Sequence, residues 1–258
     1  MREGPDTRIE RREFKFLISQ EVADGVRRAI RPFCALDRFA AAAPDHRYVI
    51  ESLYLDTPSW ALFHANDQEL LDRFKLRVRH YPGASDAVFF EVKRRYHDVI
   101  LKTRGAVPLA IWPQLLSDPW VARDLIGPDP AVERFVTLVH THHAGPVTLV
   151  RYAREAWTSL VDDYARVTFD TRVTSQPAAN LAFAHDPRSW RASDDPETQA
   201  AATDSATILE LKFTAHAPSW MMHLVQQLDL WRRAFSKYAS SIRTWYLAPA
   251  PRRVEVRP

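Results

Sequence analysis

Four cations alternate with apolar residues in one short segment of this sequence. Arg73, Lys75, Arg77 and Arg79 occupy every second position of that segment. In a β-strand, alternate side chains point to opposite faces, so one face would be entirely basic and the other would pack against a core. A solvated strand face is the simplest alternative, but like charges this close repel one another when no acid lies between them. The segment therefore predicts a surface that binds a polyanion, above all a phosphate-rich ligand.

A Glu-x-Lys pattern occurs in three separate segments that have the alternation of strands. The pairs are Glu13 with Lys15, Glu91 with Lys93, and Glu210 with Lys212. Because the strand period is two, each Glu lies beside its Lys on the same face. Carboxylates near the cations would repel phosphate unless a divalent cation lies between them, and Mg²⁺ or Mn²⁺ binds carboxylate and phosphate oxygens together. The pattern predicts an enclosed triphosphate site with a divalent metal, and surface ion pairs are the alternative.

Alternating polarity predicts eight antiparallel strands with helices inserted between them. The strands are predicted at 8–17, 48–56, 70–81, 87–96, 101–108, 147–158, 166–173 and 207–214, with a hairpin over 73–95. Helices are predicted from Ser19 to about 32, after Thr57, in pieces over 111–143 and at 218–233, and 40–47 and 185–206 are predicted loops. Closure removes exposed strand edges. The predicted fold class is α+β, a closed antiparallel eight-stranded β-barrel with a charged interior and helices packed outside.

Composition limits the class of protein. The chain has 258 residues, 46% hydrophobic and 26% charged, with a net charge of +3. A nucleic-acid-binding protein of this size more often has a larger basic excess. The sequence has no long apolar stretch and no N-terminal signal sequence, and Cys34 is its only cysteine, so we expect a cytoplasmic protein without disulfides. A single domain over 1–258 is predicted, with its core at about 8–247.

The ordered set of motifs resembles the VTC domain, the polyphosphate polymerase domain of the triphosphate tunnel (CYTH-like) superfamily. The matching stretches are EFKF at 13–16, SLYLDT at 52–57, RFKLRVRHY at 73–81, FEVK at 90–93, RYAREA at 151–156, ELKF at 210–213 and FSKY at 235–238. The resemblance implies a tunnel of eight antiparallel strands that binds ATP, polyphosphate and Mn²⁺ or Mg²⁺. It also implies an activity, the transfer of the ATP γ-phosphate to a growing phosphate chain.

The resemblance assigns roles to residues of the polar strand faces. The catalytic residues that it implies are Arg77, Arg79, Lys93, Arg154 and Lys237. The substrate-binding residues are Lys15, Lys75, Lys102, Arg104, Tyr152, Arg166, Lys212 and Ser236. Glu210 is the leading metal ligand, with Glu13 and Glu91 assisting or pairing with their lysines. Eukaryotic relatives carry a regulatory domain and membrane segments, and we expect neither here. The resemblance then leaves two alternatives open, a separate membrane protein that brings the chain to the membrane, or no membrane partner.

Three other functions are left open by the sequence. A triphosphate hydrolase could use the same tunnel, with water reaching the γ-phosphate in place of a phosphate chain. A polyphosphate or nucleotide sensor would bind without turnover. A nucleic-acid-binding barrel ranks last, because Phe14, Phe16, Phe74 and Phe90 lie on the face opposite the cations. We therefore expect no nucleic-acid partner, and the oligomeric state is not predicted.

Overall fold

The structure is a computed structural model that describes residues 11–97, 99–118, 127–183, 186–192, 207–214, 216–233 and 235–247. Its strands are β1 Arg11–Ile18, β2 Cys34–Leu36, β3 Tyr48–Asp56, β4 Asp72–His80, β5 Ala87–Tyr96, β6 Val99–Pro108, β7 Gly145–Ser159, β8 Ala165–Pro177, β9 Arg191–Ala192 and β10 Thr207–Thr214. Its helices are α1 Gln20–Ile30, α2 Arg38–Ala42, α3 Ala61–Asp67, α4 Trp112–Ser117, α5 Pro130–Thr141, α6 Ser219–Gln227 and α7 Lys237–Ile242, with a 3₁₀ turn at Pro187–Ser189 and a π turn at Arg243–Leu247.

The strands form one antiparallel sheet that is open. The pairing order is β1-β10-β8-β7-β3-β4-β5-β6, with β2 added to β7 and β9 added to β8. The predicted closed eight-stranded barrel is therefore wrong, since the sheet has ten strands and backbone pairing within the described residues does not join β1 to β6. Cα atoms of these edge strands nevertheless come within 8 Å. A side-chain ion pair, Lys93 Nζ to Glu13 Oε2 at 3.0 Å, bridges β5 and β1. The sheet is therefore strongly curved, and its two edges are connected by side-chain contacts and not by backbone hydrogen bonds.

The two faces of the curled sheet differ in polarity. We call the concave side, which carries the Glu-x-Lys pairs, the inner face. The outer face is apolar and packs against helices in two buried clusters. In one, Phe90 of β5 stacks on Phe135 of α5 with ring centroids 4.7 Å apart. In the other, Phe169, Leu209 and Leu211 pack with residues of α1 and α6. Burial of each such side chain stabilises the fold by roughly 1.5–3 kcal/mol, so this packing holds the charged face in place.

Helix α7 departs from the predicted arrangement, because it packs against the inner face. Tyr238, Ala239 and Ile242 of α7 form a third buried cluster with inner-face residues that include Ile50 and Tyr152. The rings of Tyr238 and Tyr54 stack with centroids 5.0 Å apart. Part of the concave side is therefore an ordinary apolar core. The first residues of α7 lie beside the charged part of the same face.

Local hydrogen bonds start the helices where the sequence predicts them. The Ser19 hydroxyl accepts a hydrogen bond from Val22 N at 3.2 Å and caps α1. Asp56, just before the helix predicted after Thr57, accepts backbone hydrogen bonds from the first turn of α3, at 2.9 Å from Leu62 N and 2.7 Å from Phe63 N. Its carboxylate also accepts a hydrogen bond from the Tyr238 hydroxyl. Asp56 thus joins α3 and α7 to the end of β3.

Several boundaries differ from the predictions. The predicted loop 40–47 includes part of α2, which Asp37 caps through Phe39 N and Ala40 N. The helix predicted at 218–233 ends at Gln227, because Asp229 adopts a left-handed backbone with φ of 45°. Trp231, which the predicted helix would have included, lies beyond its end and is 75% exposed. Most of the predicted loop 185–206 lies outside the described residues. Within the described part of the chain, no helix is long and apolar enough to cross a membrane.

Candidate active site

Glu91 lies at the centre of a cation cluster on β4, β5 and β6. Arg77 holds one carboxylate oxygen of Glu91 with Nε at 2.7 Å and Nη2 at 2.6 Å. The other oxygen lies 2.8 Å from Lys102 Nζ and 3.6 Å from Arg104 Nε. Arg79 Nη1 lies 3.8 Å from the oxygen that Arg77 holds. Burial would raise the pKa of Glu91, but Arg77 and Arg79 outweigh it and hold that pKa well below its ordinary value. Glu91 is therefore ionised and keeps these side chains ordered.

A second cluster lies on β7, β8 and β10, around Asp170 and Glu210. Arg154 binds both oxygens of Asp170 at 2.6 and 2.7 Å, and Lys237 Nζ of α7 lies 2.5 Å from the same carboxylate. Glu210 lies 2.6 Å from Lys212 Nζ and 3.4 Å from both Lys15 and Arg154. Despite burial, which acts to raise the pKa of Glu210, Lys212 and Lys15 keep it well below the ordinary value. Lys237 brings the start of α7 into this charged site.

Glu13 connects the two clusters across the edges of the sheet. Its carboxylate lies 3.3 Å from Lys15 Nζ and 3.0 Å from Lys93 Nζ. Burial opposes ionisation, but Lys15 and Lys93 lower the pKa of Glu13 to about 2. Lys15 also lies 3.4 Å from Glu210. Glu13 and Glu210 thus share one lysine, which places these two carboxylates side by side.

Lys75 differs from the neighbouring lysines in its hydrogen-bond partner. Within the described residues, Lys75 contacts a neutral hydroxyl, whereas Lys15 and Lys93 contact carboxylates. Its Nζ donates to the hydroxyl of Ser236, the N-cap residue of α7, at 2.9 Å. Burial, together with the charges of Lys15 and Lys93, lowers the pKa of Lys75 to about 7. Burial and the nearby Arg77 and Arg79 likewise lower the pKa of Lys102 to about 7, although Glu91 opposes this shift. Both lysines are thus buried among other cations, and burial and neighbouring positive charge each disfavour their charged form.

The aromatic hydroxyls of the inner face supply neutral hydrogen-bonding groups among these charges. Arg79 is buried, and its Nη2 donates to the Tyr152 hydroxyl at 3.2 Å, while its Nε has no hydrogen-bond partner. Arg77 donates to the Tyr54 hydroxyl at 3.3 Å. The Tyr152 ring also lies 4.7 Å below Lys237 Nζ. A buried guanidinium with an unused N–H group is suited to bind an anionic oxygen.

The structure brings most of the predicted site residues together. Those with contacts in the two clusters or beside them are Lys15, Lys75, Arg77, Arg79, Lys93, Lys102, Arg104, Tyr152, Arg154, Lys212, Ser236 and Lys237. Arg166 is opposite Lys212 in the β10–β8 register but lies at the exposed rim. Asp170 was not assigned a role from the sequence, although its position in the β8 alternation places it opposite Arg154. The motif match gave no signal for it because the match does not include β8.

The three predicted metal ligands do not form one group. Glu13 and Glu210 share Lys15, whereas Glu91 is surrounded by arginines and Lys102. No cluster of three or more His, Cys, Asp or Glu side chains suited to a metal is found among the described residues. Mg²⁺ and Mn²⁺ commonly use one or two carboxylates and take their other ligands from phosphate and water. The Glu13 and Glu210 pair fits that requirement, and Glu91 fits a structural role.

Comparison with known proteins identifies the family. The sequence profile of the VTC domain matches residues 10–246. The chain belongs to the VTC domain family. This finding confirms the resemblance seen in the motifs, and it supports a protein that handles polyphosphate or triphosphates. A search of curated proteins finds no match.

Solved structures with a similar arrangement share little sequence with this VTC domain. A candidate adenylate cyclase from Bacillus halodurans is 12% identical, with a TM-score of 0.45, and the match covers 92% of this chain and 99% of that one. A candidate adenylyl cyclase from Hippeastrum, described as having a dominant triphosphatase activity, is 12% identical with a TM-score of 0.48 over 88% and 92% of the two chains. The protein PH1819 from Pyrococcus horikoshii OT3 is also 12% identical, with a TM-score of 0.39 over 85% and 84%.

Proposed function

We propose that this VTC domain is an ATP-dependent polyphosphate polymerase. The observation that carries the proposal is the excess of Lys and Arg side chains over carboxylates on the inner face, where several cations surround each of Glu13, Glu91, Asp170 and Glu210. Such an excess is unfavourable in the empty protein and is neutralised by a polyanion. A chain of phosphates is narrow and carries charge along its whole length, which suits cations that come from opposite strands of one curled sheet.

In the proposed reaction, a terminal oxygen of the phosphate chain attacks the γ-phosphorus of ATP. The bond to the bridging oxygen of ADP breaks, and ADP leaves with that oxygen and the electron pair of the bond. Phosphoryl transfer of this kind depends mainly on positioning and on stabilisation of charge. Arg77, Arg79 and Arg154 would hold the phosphate oxygens, with Lys93 and Lys237 neutralising charge around the transferred group. Glu91 and Asp170 keep the arginines in position.

A divalent metal would be held by Glu13 and Glu210. When bound, Mn²⁺ or Mg²⁺ would supply positive charge that offsets the negative charge of the phosphate oxygens. The lowered pKa of each carboxylate, caused by the neighbouring lysines, keeps both available as anionic ligands at neutral pH. Lys15 lies between them and would share this role with the metal.

The product of the reaction tests the proposal. Purified protein would be incubated with ATP and Mn²⁺, and the products would be separated on a gel that resolves phosphate chains. A ladder of long chains together with ADP is expected. Orthophosphate without chains would show a triphosphate hydrolase, and tight binding of polyphosphate without turnover would show a sensor. Either of these results would overturn the proposed polymerase activity.

A further inference from the structure

A cavity lies beside the rim of the inner face, where β2 and α2 meet the ends of β7 and β8. Its volume is about 490 Å³, within the range of roughly 300–1,000 Å³ that is usual for small-ligand sites. Its lining comes from two stretches, 35–39 and 158–160, together with Arg166. This cavity is outside the two charged clusters described above.

Two residues of the cavity lining, Thr158 and Arg166, lie on the same side of the sheet as Lys212 of the inner face. Thr158 is opposite Arg166 in the β7–β8 pairing, and Arg166 is opposite Lys212 in the β8–β10 pairing. Opposite residues of an antiparallel pair point to the same side of the sheet, so Thr158, Arg166 and Lys212 share one side. Lys212 is bound to Glu210 at 2.6 Å. A ligand whose phosphates contact Lys212 and Arg166 would therefore have its other end at the cavity.

An exposed aromatic surface forms one wall of the cavity. Phe39 is 46% exposed although it is a large apolar side chain. The guanidinium of Arg38 lies 4.6 Å from the centre of the Phe39 ring, and the Tyr48 ring lies 5.9 Å away. Asp37 fixes the backbone here by capping α2, and it also accepts a hydrogen bond from the Tyr48 hydroxyl at 3.4 Å. An aromatic ring beside a guanidinium is a surface on which nucleic-acid bases stack.

We propose that this cavity is the nucleoside subsite for ATP, with the adenine ring stacked on Phe39 and Arg38. This inference rests on the proposed function, since it takes ATP as the substrate of the inner face. Arg166 and Lys212 would bind the phosphates nearest the ribose, and the γ-phosphate would extend toward Lys15 and Arg154. Inorganic tripolyphosphate has no base, so it would occupy the inner face without using the cavity. Phe39 is therefore a specificity residue for the nucleotide and not for the phosphate chain.

Binding measurements with ATP and with tripolyphosphate test the proposed subsite, because only ATP carries a base. Calorimetry would compare ATP with tripolyphosphate, without turnover, for the wild-type protein and for Phe39→Ala, Phe39→Trp and Tyr96→Ala. Tyr96 is the matched control, because it is an exposed aromatic residue at the far end of β5. In Phe39→Ala one base stack is lost, so we expect its affinity for ATP to be about tenfold lower than that of the wild type. Its affinity for tripolyphosphate should change by less than about twofold. Phe39→Trp keeps an aromatic ring at this position and should bind ATP about as tightly as the wild type. Tyr96→Ala should bind both ligands as the wild type does.

Three results would overturn the inference. Equal weakening of both ligands by Phe39→Ala would mean that Phe39 acts through the structure of the rim. Unchanged ATP binding would mean that the base lies elsewhere. If the wild-type protein bound tripolyphosphate but not ATP, the subsite would be wrong, and so would the choice of ATP as phosphate donor. In contrast, a nucleotide-specific effect of Phe39 in a protein that makes no chains would support the subsite and refute only the polymerase.

Discussion

Lys93 and Arg94 are adjacent in β5 but lie on opposite faces of the sheet. Lys93 points to the inner face and pairs with Glu13, whereas Arg94 pairs with Asp72 on the exposed side at 2.5 Å. We expect Lys93→Ala to lower the rate of polyphosphate synthesis by at least about 100-fold, because it removes a charge that stabilises the transferred phosphate. Arg94→Ala should keep the wild-type rate, since an exposed ion pair contributes little. ADP release measured at saturating ATP compares the two variants.

The same reasoning applies to Arg77→Ala and Glu210→Ala, which should abolish turnover while the fold survives. Glu91 keeps Lys102 and Arg104 as partners when Arg77 is removed. Circular dichroism and thermal unfolding would establish that each variant is folded. Wild-type turnover in any of these variants would show that the altered residue has no part in the reaction.

The lowered pKa of Lys75 leads to a pH dependence of binding. Burial and the nearby Lys15 and Lys93 lower that pKa to about 7, so Lys75 loses its charge in the ligand-free protein as the pH rises through about 7. A bound polyanion favours the charged form, so binding takes up a proton and should weaken as the pH rises from 6 to 8.5. Lys75→Met should flatten this profile, whereas Lys75→Arg should bind tightly throughout. Calorimetry with tripolyphosphate checks this, and the comparison between variants removes the titration of the ligand itself.

A profile for Lys75→Met that is as steep as that of the wild type would contradict the assignment to Lys75. Lys102, whose pKa is also lowered to about 7 by burial and by Arg77 and Arg79, is the other group expected to contribute. The double variant should therefore be flatter than either single variant.

At the level of elements, Gly105 of β6 packs directly against Val132 of α5. A Cβ atom built on Gly105 would lie 2.4 Å from the Val132 side chain and 2.9 Å from its backbone nitrogen. We expect Gly105→Ala to destabilise the fold by about 1–3 kcal/mol, because α5 must move away from the sheet. Urea unfolding measures the loss.

Gly25 of α1 is the matched control for that substitution. A Cβ atom there would meet Leu228 at 3.7 Å, which is ordinary contact. Gly25→Ala should therefore leave stability unchanged or raise it by up to about 1 kcal/mol, since Ala favours the helix. Equal unfolding midpoints for the two variants would mean that β6 and α5 tolerate a shift.

The elements also show which parts of the fold could be predicted from the sequence. Period-two alternation predicted β3 at Tyr48–Asp56 and β10 at Thr207–Thr214 with the bounds that the structure has. Alternation carries no information about which edges pair, so closure of the sheet was predicted and is wrong. Helix α7 has only six residues, and a helix this short leaves no clear periodicity. Its position on the inner face depends on contacts with residues far away in the sequence.

The sequence predicted which residues belong to the candidate site better than it predicted their contacts. Cations on successive strands predicted a charged face, and the structure places Lys15, Arg77 and Arg154 there. The Glu-x-Lys pattern predicted that Lys15 lies beside Glu13, and the two pair at 3.3 Å. Partners on other strands were not predictable, because they follow from strand order. Glu13 and Glu210 lie together because β1 is next to β10, while Glu91 lies on a strand elsewhere in the sheet. Which of Glu13 and Glu91 could assist Glu210 as a metal ligand therefore depends on the strand order, which the sequence does not give.

For the whole molecule, the position of its charges matters more than their sum. The net charge is only +3, but the inner face concentrates cations on the concave side of a sheet whose edges come within 8 Å. A phosphate chain is narrow enough to enter such a space, whereas single-stranded DNA carries bulky sugars and bases. We expect polyphosphate to bind at least about 100-fold more tightly than an oligothymidylate with the same number of charges, at physiological salt. Competition between the two, measured by fluorescence anisotropy, would test this.

The combination of Lys93→Ala and Arg154→Ala should remove most of the polyphosphate affinity and leave any weak DNA binding unchanged, since DNA would contact only the outside. Raising the salt concentration should weaken DNA binding more steeply in relative terms, because exposed charges are screened more strongly than enclosed ones. Comparable affinities for the two polymers would mean that the sheet opens widely in solution. The inner face would then be an open basic surface, and a polymerase that encloses its product would be excluded.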